Sequence, residues 1–157
     1  MKAVVLTVSD RVSAGSAVDE SGPAAAARLE RLGFTTTVEV VPDGIDPVER
    51  FLKAAVDNGV PLVVTTGGTG FAPRDLTPEA TRRVIERPAP GLVEAMRSAT
   101  FGSNPHGMLS RGEAGIRGGT LIVNLPGSVR GVEESLDVIG PALRHGVELL
   151  RSEETSH

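Results

Sequence analysis

Residues 60–81, VPLVVTTGGTGFAPRDLTPEAT, constrain the chain more than any other stretch. An apolar, β-branched run, Leu62-Val63-Val64-Thr65-Thr66, stops at Gly67-Gly68-Thr69-Gly70. Pro73, Arg74 and Asp75 follow, and then a helix start at Thr77-Pro78-Glu79. The order reads as buried strand, glycine loop, charged turn and helix. In an open α/β sheet, anionic ligands bind where such a strand ends, against free backbone N–H groups. The glycines let the backbone approach a phosphate, and Thr69 adds a hydroxyl. Asp75 fits beside a phosphate only if it holds a cation or orients a ligand hydroxyl, which points to a magnesium nucleotide site. The loop is neither a P-loop nor a dinucleotide fingerprint, for GxxxxGK[ST] and GxGxxG are absent and the lysines are Lys2 and Lys53 alone. By itself a GGTG turn is as compatible with a plain strand–helix connection as with a ligand site.

The flanking sequence supplies the rest of the sheet. Ala3–Val8 reads as a first strand and 13–21 as a loop of small and acidic residues. Ser21-Gly22-Pro23 opens an alanine-rich helix that stops at Gly33, and Thr35–Val41 is a second β-branched strand. Asp46-Pro47-Val48-Glu49 has the order of a capping box, with Val48, Phe51, Leu52, Ala55 and Val56 on one face of the helix it begins. Beyond the Thr77 helix, Pro88 and Pro90 break the chain before a helix near 91–99, and 100–119 lacks a clear pattern. Thr120–Asn124 is a strand, and helical sequence runs to about Arg151 with an interruption expected at Gly140-Pro141. This alternation predicts an α/β fold, a mostly parallel sheet with helices on both faces, and one domain over residues 1–157.

Composition narrows the function. A net charge of −4, with four Phe and no Trp or Tyr, argues against nucleic-acid binding by a basic surface or by base stacking. No apolar stretch approaches the ~20 residues that span a bilayer, and MKAVVLTVSDR reads as a strand rather than a signal peptide. With no cysteine there is no disulfide, thiol nucleophile or thiolate metal site. A cytoplasmic protein is expected. An anionic substrate would have to be held by backbone N–H groups, selected arginines and a metal ion.

Four strand ends carry polar clusters: Ser9-Asp10-Arg11, Pro42-Asp43-Gly44, 67–75 and 124–128. In a parallel sheet the carboxyl ends share one edge, so the clusters should converge on one cleft. Pro126-Gly127-Ser128 repeats the glycine-turn logic before a helix. Ser110-Arg111 and Gly115-Ile116-Arg117-Gly118 look suited to clamping an anion, or equally to a surface loop. Taken singly, Ser9, Asp43, Arg74 and Ser128 could each be a cap, a turn residue or a solvated charge. His106, His145 and His157 lack metal-ligand spacing and are expected to be non-catalytic.

The string TTGGTGFAPRDLTPEATRRVIERPAPGL resembles the signature of the Mog/MoaB molybdopterin adenylyltransferase family, which includes gephyrin-type domains. TVSDR, DESGP, VVPDG, MLSRGEAGIRG and NLPGS extend the resemblance along the chain in the family's order. The resemblance implies a three-layer α/β fold and a homotrimer or hexamer. It implies molybdopterin and ATP as substrates, Mg²⁺ as cofactor, AMP transfer to the pterin phosphate, and a molybdenum-insertion protein that receives the product. Carried onto this chain, Asp43 and Asp75 match the catalytic aspartates and would be the Mg²⁺ ligands. Gly67, Gly68, Thr69 and Gly70 match the phosphate loop, Ser110 and Arg111 the pterin-side loop, Pro126, Gly127 and Ser128 the second turn, and Ser9, in the TVSDR match, is expected to join them in binding phosphate, nucleotide or pterin. Val129 and His106-Gly107 depart from the family pattern without removing a carboxylate. A non-catalytic molybdopterin-binding scaffold and a CinA-like nucleotide domain are the alternatives; the presence of both carboxylates favours the enzyme, and the NLPGS match disfavours the CinA-like domain.

Overall fold

The structure, a computed structural model, describes residues 1–152. Its strands are β1 (Lys2–Val8), β2 (Thr35–Val41), β3 (Leu62–Thr66), β4 (Arg87–Pro88), β5 (Ala114–Arg117) and β6 (Thr120–Leu125). Its helices are α1 (Asp10–Ser13), α2 (Ser21–Arg31), α3 (Ile45–Asp57), α4 (Thr77–Val84), α5 (Pro90–Ser98) and α6 (Val129–Arg151), with a 3-10 turn at Pro105–Leu109. The strands form one sheet in the order β2-β1-β3-β6-β5-β4, parallel from β2 to β6 and antiparallel at the β6–β5 and β5–β4 pairings.

The central strands are buried on both faces, which is why β3 reads as an unbroken apolar run rather than an alternating one. Successive side chains still part to opposite sides. Ala3, Val5, Leu62, Val64, Leu121 and Val123 meet α2, α5 and α6, while Val4, Leu6, Val63 and Ile122 meet α3 and α4. The result is the expected three-layer α/β fold with helices on both faces. Among the described residues, no helix is long and apolar enough to cross a membrane.

Four local expectations are corrected. The helix through Pro47 starts at Ile45 with Gly44 as its cap and no side-chain cap bond, so Asp46 is not the N-cap. Glu49 binds Lys53 and Arg83 instead of reaching back to a backbone N–H. The four-residue helix α1 reaches Ser13, the residue at which a loop was expected to begin. The patternless stretch 100–119 contains the 3-10 turn and β5, whose partner β4 is only two residues long.

Finally, α6 runs unbroken through Gly140-Pro141. Its buried face, including Leu136, Ile139, Leu143 and Val147, packs on the sheet and outweighs the one backbone bond that Pro141 removes. Gly140 meets Leu32 so closely that a Cβ there would stand 2.9 Å from Leu32 Cδ1.

Candidate active site

The four polar strand ends do converge. Registers Val8↔Val41, Thr7↔Thr66 and Thr66↔Leu125 bring the carboxyl ends of β1, β2, β3 and β6 to one edge. The chain order reverses between β1 and β3, the position at which open α/β sheets bind ligands.

At that edge Gly67 and Gly68 have no room for side chains. Gly67 has φ +87°, and a Cβ on it would stand 2.4 Å from the Val8 carbonyl oxygen. Gly68 has φ +69°, and its Cβ would stand 2.3 Å from Thr77 Oγ1. Both conformations disfavour L side chains independently of the crowding. Thr77, the first residue of α4, turns back to donate its hydroxyl to the Gly67 carbonyl at 3.0 Å, and its N–H reaches the Gly68 carbonyl at 3.1 Å. Gly127 packs against the same loop, for a Cβ there would come within 3.2 Å of Gly67 Cα. Ser128 Oγ accepts the Gly131 N–H at 3.0 Å and caps α6.

These loops line a cavity of about 740 Å³, a size common for small-molecule sites. Gly67, Gly68, Thr69, Gly70 and Asp75 form part of its wall, together with Ser110, Pro126, Gly127 and Ser128. Its floor includes Asn124, which is 2% exposed. Asn124 Nδ2 donates to Thr65 and Thr81 hydroxyls at 3.0 and 2.9 Å, and Oδ1 accepts the Glu113 N–H at 3.0 Å. One buried amide thus ties β3, β6, α4 and the segment before β5 together beneath the cavity.

The two predicted carboxylates flank the glycine loop. Asp43 Oδ1 lies 3.3 Å from where a Gly68 Cβ would stand, and Asp75 Oδ2 lies 2.9 Å from the corresponding point on Gly70. Asp75 Oδ2 also accepts the Ala72 N–H at 3.0 Å. Asp43 and Asp10 bond reciprocally: Asp10 N–H donates to Asp43 Oδ2 at 2.8 Å, and Asp43 N–H donates to Asp10 Oδ1 at 3.2 Å. Arg74 grips Asp10 with Nε at 2.5 Å and Nη2 at 3.0 Å, and donates to the Asp43 carbonyl at 2.9 Å. Its hydrogen bonds and charge hold the Asp10 carboxyl below the ordinary aspartate value, and Asp10 in turn raises the Arg74 guanidinium. Among the described residues, no three or more His, Cys, Asp or Glu side chains group as metal ligands.

Three residues singled out from sequence have other work. Ser9 is the N-cap of α1, its Oγ accepting the Val12 N–H at 3.2 Å. Arg111 does not stand ready for an anion, because its Nε donates to the Gly70 carbonyl at 2.8 Å and Nη2 to the Asp75 carbonyl at 2.5 Å. Nη1 is hydrogen-bonded to Glu79. Its own N–H reaches the Thr69 carbonyl at 2.9 Å, so Arg111 fastens the segment before β5 to the glycine loop. Arg117 donates to the Val84 carbonyl at 3.1 Å and lies 3.8 Å from Glu86. Neither Arg111 nor Arg117 lines the cavity.

The arginines in the cavity wall are Arg97 and Arg130, which sequence reasoning passed over. Arg97 also holds the Ser110 and Gly112 carbonyls at 3.3 and 3.4 Å. Arg97 lies in the last turn of α5 and Arg130 in the first turn of α6, and nothing local sets either apart in one sequence. Of the histidines, His106 borders the cavity and His145 lies by a separate apolar groove; His157 is outside the described residues.

Comparison with known proteins gives consistent results. The family described as "Probable molybdopterin binding domain" matches residues 4–145. Gephyrin of Dictyostelium discoideum is 41% identical over 97% of the chain, which spans only 23% of gephyrin's length. The protein named molybdopterin adenylyltransferase of Helicobacter pylori is 41% identical over 93% of the chain and 85% of its own length. The crystal structure of the molybdopterin biosynthesis enzyme MoaB from Thermus thermophilus superposes with a TM-score of 0.91 at 42% identity, over 97% of each chain.

Proposed function

The chain belongs to the family of probable molybdopterin binding domains, and on that footing we propose that it is a molybdopterin adenylyltransferase of molybdenum-cofactor biosynthesis. The observation that carries this reading is the placing of Asp43 beside Gly68 and of Asp75 beside Gly70, on a loop whose glycines leave no room for a Cβ. A cradle of free backbone N–H groups suits phosphate, and two carboxylates beside it would repel that phosphate unless a cation comes with it.

In the proposed reaction a phosphate oxygen of molybdopterin bonds to the α-phosphorus of ATP. The bond from that phosphorus to its bridging oxygen breaks, and pyrophosphate leaves with the electron pair. The nucleophile is already an anion, so no side chain has to remove a proton. The 67–70 backbone holds the nucleotide phosphates, Thr77 fixes that backbone, and the Pro126-Gly127-Ser128 turn with Ser110 receives the second ligand. Nucleotide sites commonly hold Mg²⁺ by one or two carboxylates plus phosphate oxygens, and Asp43 and Asp75 offer that donor set; the ion would neutralise phosphate charge and ease the departure of pyrophosphate. The chain's own contribution is alignment and electrostatics.

The same reading includes a homotrimer or hexamer acting in the cytoplasm as a single molybdopterin-binding unit, with its product passing to a molybdenum-insertion protein. The test is to incubate the protein with fresh molybdopterin, ATP and Mg²⁺ and to follow adenylylated pterin and pyrophosphate. Equal amounts of the two products support transfer. Pterin binding without product points to a scaffold of the same fold.

A further inference from the structure

Arg74 precedes Asp75 in the chain, yet its guanidinium crosses the edge of the sheet to the Asp10 carboxylate. Two of its nitrogens contact Asp10, and Nη2 also donates to the Asp43 carbonyl at 2.9 Å. Asp10 in turn occupies Asp43 Oδ2 with its N–H, which leaves Oδ1 beside Gly68. We propose that Arg74, acting through Asp10, is a positioning residue that sets the span between Asp43 and Asp75, a role that presupposes the adenylyl-transfer reading above.

The geometry supports the role in three ways. First, the turn carrying Asp75 and the turn carrying Asp43 leave different strands, and the Arg74 fork ties one to the other. Second, Asp10 and Asp43 are two carboxylates held by each other's backbone, an arrangement that repels unless a cation stands by. Arg74 supplies that charge on the side of Asp10, so the unpaired negative charge is Asp43's. Third, the Arg74 and Asp10 side chains are 64% and 42% exposed. Ion pairs so exposed add little to stability, so an effect of breaking this one should appear in the chemistry rather than in folding.

The experiment compares wild type with Arg74→Gln, Asp10→Asn, the double variant and Arg74→Lys. It measures kcat, KM for ATP, melting temperature, and calorimetric affinity for a non-hydrolysable ATP analogue with and without Mg²⁺. The expected result is a fall in kcat of about 10- to 100-fold in Arg74→Gln and Asp10→Asn, the scale of a misplaced reacting group. Mg²⁺-free analogue affinity should hardly change, the gain in analogue affinity from Mg²⁺ should shrink, and KM for ATP in the presence of Mg²⁺ should rise only by that same factor. The double variant should be no worse than either single one. Arg74→Lys should recover only part, because an ammonium cannot reproduce the planar fork.

Wild-type kcat and Mg²⁺ response in Arg74→Gln would overturn the role and leave adenylyl transfer standing. So would a loss of activity matched by a fall in melting temperature, which would mark the pair as structural. A wild-type protein that binds no nucleotide would overturn adenylyl transfer and this role with it.

Discussion

Asp10 and Asp43 each accept the other's backbone N–H, at 3.2 and 2.8 Å, so the ends of β1 and β2 are joined through the carboxylates that close them. Asp43 therefore has one oxygen fixed and one beside the glycine loop. Replacement by Asn keeps an acceptor for the Asp10 N–H but removes the charge. Asp43→Asn should fold with stability within about 1 kcal/mol of wild type and lose turnover by about a hundredfold or more. Denaturant titration and the adenylylation assay, run on the same preparation, check both halves.

Gly67→Ala should be the more damaging of two substitutions in the glycine loop. Its Cβ would meet backbone, the Val8 carbonyl, whereas that of Gly68 would meet the Thr77 side chain, which can rotate. Both incur the left-handed backbone penalty of about 1–2 kcal/mol, and Gly67→Ala adds a clash that only movement of β1 relieves. Thermal unfolding of both variants gives the order.

The Asn124 side chain makes three hydrogen bonds beneath the cavity, two of them buried and one partly so. Asn124→Leu fills the same volume but strands the Glu113 N–H and leaves two threonine hydroxyls short of a partner. A buried group left unpaired costs about 1–3 kcal/mol, so a loss of about 3 kcal/mol is expected in urea unfolding. Asn124→Ser, which keeps a polar group, should lose less.

Glu79 gives the structure a pH signature. The hydrogen bond from Arg111 holds its carboxyl below the ordinary glutamate value of 4.5. A carboxyl depressed in the folded state adds stability that is complete above the unfolded value. That stability fades as pH falls below 4.5 through the lower folded value. Glu79→Gln should melt below wild type at pH 7, and the gap should close in acid below pH ~4.5. Melting curves from pH 3 to 7, roughly one pH unit apart, would resolve it.

Much of this molecule was legible in its sequence, for identifiable reasons. Leu62–Thr66 is buried on both faces, so its apolar run marked a central strand, and the four strands whose ends carry polar clusters are the four parallel ones. Gly67 and Gly68 showed themselves because only glycine fits their backbone. Other features depended on distance. Arg111 looked like an anion clamp because its sequence neighbours are glycine and serine, and only the fold brings the Gly70 and Asp75 carbonyls to its nitrogens. β4 has two residues and gains its identity from pairing with β5, which no local pattern announces. Pro141 signalled a break, but the buried face of α6 overrode it.

In the proposed reaction Asp75 serves the transfer of AMP to molybdopterin. The most direct measurement incubates wild type and Asp75→Asn with molybdopterin, Mg²⁺ and ATP labelled at the α-phosphate, and counts label on the pterin. Wild-type transfer with a matching release of pyrophosphate is predicted, together with loss of both in a variant that still folds and binds pterin. Undiminished transfer by Asp75→Asn would contradict the assigned site, and no transfer by a wild type that binds both substrates would contradict the activity itself.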